Sequence, residues 1–240
     1  MSLKQTQIVI LLGVFLLQYI FEHIYPQQKN INNWKNEKFN IVTGLLNMAI
    51  TFVPAYFLIQ WVFLIQQKNL GLLQELVLPF WINLGLSIFL LDLWMYTWHR
   101  LNHKISFLWQ FHSFHHKDEK MNSTTALRFH IAELLFSYPG KAVICFVFGI
   151  GYIPLLIYEI LFSINVIVHH SNMYINERFD NIYRLFFASP LMHRIHHSNK
   201  AEETNSNFGA VFSFWDVIFK SKKNKAKEKI QFGIDHTNFQ

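Results

Sequence analysis

Cysteine is almost absent from this 240-residue chain. Cys145 stands alone, which excludes an intramolecular disulfide framework and any thiolate-built zinc or iron–sulfur site within one chain. Charge is scarce too: Asp, Glu, Lys and Arg make up 15% of the residues, against roughly 25% in an ordinary soluble domain. There is no internal repeat, no low-complexity tract and no sustained strand alternation. What is abundant is apolar. Hydrophobic residues reach 52%, aromatic residues 17%, and phenylalanine alone supplies 25 positions. The mean hydropathy is +0.18. This composition argues against a disordered chain and against a soluble globular domain. Histidine is the exception to the polar poverty, with 13 residues against 15 carboxylates.

The formal net charge is +6, which by itself suggests a nucleic-acid partner. The basic residues, however, lie in loops and a tail around long apolar segments. Attraction to anionic lipid and the positive-inside bias account for them better, and no nucleic-acid partner is expected.

Three runs are long and apolar enough to cross a bilayer: Gln5–Phe21, Ile41–Ile65 and Leu76–Trp98. The first lacks the basic start and small-residue cleavage site of a signal peptide. Pro54 predicts a kink in the second. Residues 134–168 form a fourth apolar segment, divided near its middle by Gly149, Gly151 and Pro154. It reads as two short helices in a hairpin, with a re-entrant pair as the alternative. The expected fold is therefore an all-α integral membrane protein. About four transmembrane helices, or three plus a re-entrant hairpin, are capped by a cytoplasmic helical histidine-rich region. Residues 1–75 are expected to be N-terminal spans, 76–220 the catalytic region and 221–240 a basic cytoplasmic tail. The tail carries five lysines beyond Ser221.

Eleven of the histidines fall between His99 and His197, and they are grouped. His99 and His103 stand at i and i+4, on one face of a helix leaving the third span. His112, His115 and His116 stand at i, i+3 and i+4, and His193, His196 and His197 repeat that spacing. His169 and His170 close the hairpin, and His130 stands alone. Neutral imidazole is a good ligand for iron, zinc, copper or nickel. So many imidazoles exceed the four to six positions of one ion and suit two centres built almost wholly of nitrogen. A metalloprotease is disfavoured, because Arg100 sits where HExxH needs a glutamate base. His23 and His236 read as ordinary surface histidines.

Asp92, Tyr96, His99 and His103 share one helical stripe, so the Asp92 carboxylate is expected to orient an imidazole directly or through water. Glu133, Asp180 and Asp216 are further carboxylates of this kind. Trp94, Trp98 and Trp109 read as interfacial belt residues.

The order Asp92–His103, Leu108–His116, Thr125–His130, His169–Asn172 and Pro190–His197, closed by Asn207–Gly209 and Trp215–Phe219, resembles the fatty acid hydroxylase/sterol desaturase superfamily of membrane oxidases. The resemblance implies two iron ions, O2 as oxidant and a lipid substrate such as a fatty acyl chain, sterol or isoprenoid. Zinc is an expected substitute in purified protein. It implies His99, His103, His112, His115, His116, His170, His193, His196 and His197 as ligands, with His169 replacing or joining His170. The family often has proline after the residue matching His130; here it is Ile131. Glycine-threonine usually follows the closing motif; here Lys220 and Ser221 stand there. The resemblance does not choose between hydroxylation and desaturation. A separate reductase, ferredoxin or cytochrome is expected to deliver electrons. Two rival functions remain at this point: a membrane protein that handles a transition metal, and a non-catalytic scaffold that keeps the histidine clusters.

Overall fold

The computed structural model describes residues 3–29 and 33–235. Among them the secondary structure is helical, with three isolated β-bridges and no strand. The long helices are α1 (Leu3–Ile24), α2 (Trp34–Gln67), α4 (Phe80–Lys104), α6 (Ile131–Phe148) and α7 (Tyr152–His170). Between and beyond them run α3 (Leu72–Glu75), α5 (Ser106–His116), a 3-10 turn (Ser123–Leu127), α8 (Glu177–Tyr183), α9 (Pro190–His196), α10 (Ala201–Thr204) and α11 (Phe214–Ile218). His236 lies outside the described residues.

Five helices among the described residues are long and apolar enough to cross a membrane. The expected hairpin is where the count rises above four. Its apolar core begins at Leu134, but α6 starts at Ile131 beneath a cap from the His130 side chain, and α7 continues through His170. The two helices therefore have 18 and 19 residues, close to the length a bilayer requires. α2 passes through Pro54 as one helix. α1 and α2 leave large apolar side chains exposed, among them Leu16, Leu17, Leu45, Phe52 and Phe57. A continuous surface of that kind is tenable in lipid and would aggregate in water.

The helix ends sort into two layers. At one end Gly71, with φ +93°, meets Gly149 so closely that a Cβ on Gly71 would lie 2.2 Å from the Gly149 amide nitrogen. Gln74 Nε2 donates to the Gly149 carbonyl at 2.6 Å, and the Tyr152 amide donates to Gln66 Oε1 at 2.9 Å. At the other end lie the C-termini of α1, α4 and α7, the N-termini of α2 and α6, and all the short helices that carry histidine. There the buried Glu22 carboxylate accepts from the amides of Ser123 and Asn172 at 2.9 and 2.8 Å. Asp118 accepts from Asn36, Asn40 and Thr125 at 3.0, 2.9 and 2.8 Å, which ties α2 to the 3-10 turn. Between the layers a packed core joins α2, α4, α6 and α7 through Val62, Ile65, Leu91, Cys145, Leu155 and Tyr158.

Candidate metal centre

Two groups of imidazoles form at the histidine-bearing end. His99, His103, His112, His116 and His196 make the first, and His115, His170, His193 and His197 the second. Within each group the candidate ligand nitrogens all lie within 4.8 Å of one another. Helical spacing explains the partition. Residues at i and i+4 share a face, so His99/His103 on α4 and His112/His116 on α5 stay in the first group. His193 on α9 and His197 at its C-terminal cap stay together in the second. The middle histidine of each HxxHH, His115 or His196, points across to the other group. α5 and α9 thus each serve both groups, which holds the two side by side.

The rings are aimed by their second nitrogens. His99 Nδ1 donates to the Phe208 carbonyl at 3.0 Å, His115 Nδ1 to Arg128 O at 3.1 Å, His170 Nδ1 to Val166 O at 2.7 Å and His196 Nδ1 to Ser206 O at 2.7 Å. His112 Nδ1 meets Glu133 Oε1 at 2.9 Å, a carboxylate also held by Asn102 Nδ2 at 3.3 Å. A carbonyl can only accept, so in the first four rings the proton is on Nδ1 and Nε2 is a bare lone pair.

These tautomers set lone pairs against each other. His115 Nε2 and His170 Nε2 are both acceptors, yet they face each other at 3.0 Å. Two lone pairs repel at that distance unless a cation lies between them. Right-angled ligands at the usual metal–nitrogen distance of about 2.1 Å are themselves about 3.0 Å apart. Buried nitrogens without a hydrogen-bond partner include His103 Nε2, His196 Nε2, His193 Nδ1 and both nitrogens of His197. Unpaired buried polar atoms are costly, and a cation, which takes one nitrogen from each ring, would satisfy His103 Nε2, His196 Nε2 and one nitrogen of His197. The residues therefore fit two nitrogen-ligated ions.

Electrostatics keeps these rings neutral and ready to bind. Burial, reinforced by neighbouring imidazoles, holds His115, His116, His193 and His197 well below the ordinary histidine value. Burial brings His196 down from 6.5 to about 3, against the opposing pull of the Ser206 carbonyl. Between those two values an unfolded chain takes up protons that the folded chain refuses. The metal-free protein is thus expected to keep its full stability above pH 6.5 and to lose it progressively as pH falls toward 3. Thermal unfolding of chelator-treated protein across that range checks this.

The other sequence-predicted residues fall in different places. His169 belongs to neither group. Its ring lies 3.8 Å, centroid to centroid, from that of His193, and its Nδ1 faces Asn165 Nδ2 at 3.3 Å. His130 also stands apart: its Nδ1 accepts from the Ala132 amide at 3.2 Å and so caps α6. Asp92 accepts from Tyr158 Oη, Val211 N, Phe212 N and Trp215 Nε1 at 3.0, 3.2, 3.0 and 2.9 Å, and none of these donors is an imidazole. It acts at one remove, by fixing the loop whose Phe208 carbonyl seats His99. Asp216 supports the same loop through the amides of Phe208 and Gly209. Asp180 binds Arg184, Ser189 and the Leu191 amide, anchoring the start of α9. Glu133 alone of these carboxylates touches an imidazole. Glu133→Gln is expected to weaken metal binding by about 10–100-fold, measurable by competition with a chelator.

Trp109 packs against the rings of His103, His112 and His116, so it supports the first group rather than an interfacial belt. The carbonyl anchors and Asn165 had no signal in the sequence pattern. Asn165, four residues before His169, also donates to the Ala188 and Ala210 carbonyls and accepts from Tyr183 Oη.

A cavity of about 220 Å³ opens from the histidines into the helix bundle. Six imidazoles, including His99, His115 and His170, line one end; Met95, Leu134, Phe162 and Val166 contribute apolar wall.

Comparison with known proteins places this arrangement among relatives. The fatty acid hydroxylase family model matches residues 84–221. The alkylglycerol monooxygenase of Homo sapiens is 27% identical over 147 residues, covering 60% of this chain and 31% of that protein. The ornithine lipid hydroxylase OlsE of Rhizobium tropici is 28% identical over 144 residues, covering 59% and 41%. The chain therefore spans about a third of the length of the first relative and two fifths of the second. No solved structure matches.

Proposed function

The chain belongs to the fatty acid hydroxylase family, and from that premise and its two imidazole groups we propose that it is an integral-membrane, O2-dependent lipid hydroxylase with a di-iron centre. The observation that carries this reading is the meeting of bare nitrogens at the mouth of an apolar-walled cavity. His99, His103, His112, His116 and His196 would hold one iron, and His115, His170, His193 and His197 the other. His169 lies within reach of the second group. Zinc would occupy the same nitrogens in overexpressed protein. The iron pair, when bound, supplies the reduction of O2 and the cleavage of an unactivated C–H bond.

The chain's own residues do the rest. Glu133 and the carbonyls of Phe208, Arg128, Val166 and Ser206 lock the ring orientations before any ligand arrives. Met95, Leu134, Phe162 and Val166 exclude water and hold a hydrocarbon segment of the substrate beside the histidines. The relatives' names, monooxygenase and hydroxylase, favour hydroxylation over desaturation. Electrons would come from a separate donor. The positive-inside bias puts the histidine end on the cytoplasmic side, with residues 76–220 as the catalytic region and 221–240 as a basic tail. A transporter of metal would string its ligands along the spans; here they are gathered and buried at one end, which favours catalysis.

Iron-reconstituted protein in vesicles of host lipid, given a chemical reductant, is expected to consume O2 in proportion to oxidised lipid formed. The zinc-loaded protein should consume none. Equal uptake by both forms would refute the assignment.

A further inference from the structure

The cavity has a floor, and the floor is an ion pair. Its lining on α6 descends through Leu134, Ser137 and Lys141, and on α7 through Val166, Phe162 and Glu159, and on both helices it stops there. Lys141 Nζ donates to Glu159 Oε1 at 2.6 Å, closing the gap between the helices. Directly beyond lies tightly packed core, with Cys145, Leu155 and Tyr158 buried. Glu159 is ten residues before His169, about 15 Å along a helix. Lys141 is eight residues after Glu133, about 12 Å.

Charges inside a membrane are expensive and mark function. Lys141 is buried and Glu159 partly so, and a pair withdrawn from water is often no more stabilising than apolar residues of the same size, so helix stapling alone is a weak account of it. Its position gives a stronger one. A hydrocarbon chain descending from the histidines meets a mainly apolar wall, broken by the hydroxyls of Ser137 and Thr51, until it reaches the charges of Lys141 and Glu159. To go further it would have to pull these opposite charges apart in a medium that cannot solvate either.

We propose that the Lys141–Glu159 pair is a chain-length stop, which limits the straight-chain substrate to the hydrocarbon that fits between the histidine groups and this floor. The inference rests on the lipid-hydroxylase reading for its substrate class, but not for its test, which needs no turnover. A fitted pocket distinguishes neighbouring homologues by about tenfold or more per methylene.

The probes are 1-alkanols of increasing length, added to metal-loaded, purified full-length protein, with apparent affinity taken from thermal stabilisation. The wild type is expected to show a sharp optimum in length. K141M/E159M removes both charges together, leaving no unpaired ion, and should move the optimum to longer chains. It should improve binding of a homologue one helical turn longer by about tenfold. Ser137→Met leaves the pair intact, fills the cavity one turn above it, and should move the optimum to shorter chains. No optimum in the wild type, or the same optimum in all three proteins, would overturn the stop. So would a K141M/E159M protein that is merely less stable with an unchanged optimum, since that outcome means a helix staple. Absence of any oxidised lipid would remove the proposed activity, while the length series would still decide this point.

Discussion

His196→Ala is expected to halve the metal content, from two ions per chain to one, and to abolish lipid oxidation. His196 is the only member of the first group that comes from α9; the other four come from α4 and α5. Its Nε2 is buried and unpartnered while its Nδ1 is held by the Ser206 carbonyl, so its lone pair is already aimed. Removing it opens one side of the first group. The second group keeps all four of its imidazoles. His197→Ala should produce the mirror result, emptying the second position and sparing the first. Elemental analysis against protein concentration reads both variants. Far-ultraviolet circular dichroism and membrane fractionation should show that each still folds and inserts, because neither side chain supports a span. Loss of both ions from either variant would mean one cooperative cluster, and no loss from either would remove these residues as ligands.

Asp92→Asn is expected to be the most damaging single substitution outside the histidines. The carboxylate accepts four hydrogen bonds, two on each oxygen, in a site without solvent. An asparagine keeps one acceptor oxygen and turns an NH2 group toward donors such as the Phe212 amide and Trp215 Nε1. Hydrogen bonds to charged groups contribute about 1.5–3 kcal/mol each, and the stranded donors add desolvation costs. A loss of about 3 kcal/mol or more follows. The segment 207–215 should loosen, and with it the Phe208 carbonyl that orients His99. Metal in the first group should therefore bind about 10–100-fold more weakly, while the second group, whose ring anchors are the Arg128 and Val166 carbonyls outside that segment, should be affected less. Site-resolved metal titration separates this from a direct ligand role, which would empty the first position outright. Unchanged stability would sink the argument.

Much of this was readable in the residues themselves. Long runs with at most one charge read as spans, and imidazoles at i, i+3 and i+4 crowd one side of a helix. The spacing did not say which group each imidazole joins, because that depends on how α5 and α9 face one another across 81 residues of chain. The stripe from Asp92 to His103 suggested that the carboxylate orients an imidazole directly or through water. A helical stripe shows which residues share a face, but not which distant segment packs on it. The segment is the loop 207–213 with the start of α11, and its amides and the Trp215 indole take the carboxylate first. His130 illustrates a local competition: at the start of α6 its ring nitrogen satisfies a backbone amide that would otherwise be unpaired. Lys141 and Glu159 sit on two helices of one hairpin, and their pairing across it emerges only from the register of α6 against α7.

The proposed activity puts an oxygen atom from O2 into a lipid. Untargeted lipidomics of expressing and non-expressing cells grown under 18O2 tests it most directly. A lipid is expected to gain a labelled hydroxyl in expressing cells and not in cells expressing His115→Ala. An unchanged lipid profile, or a desaturated lipid carrying no label, would contradict it.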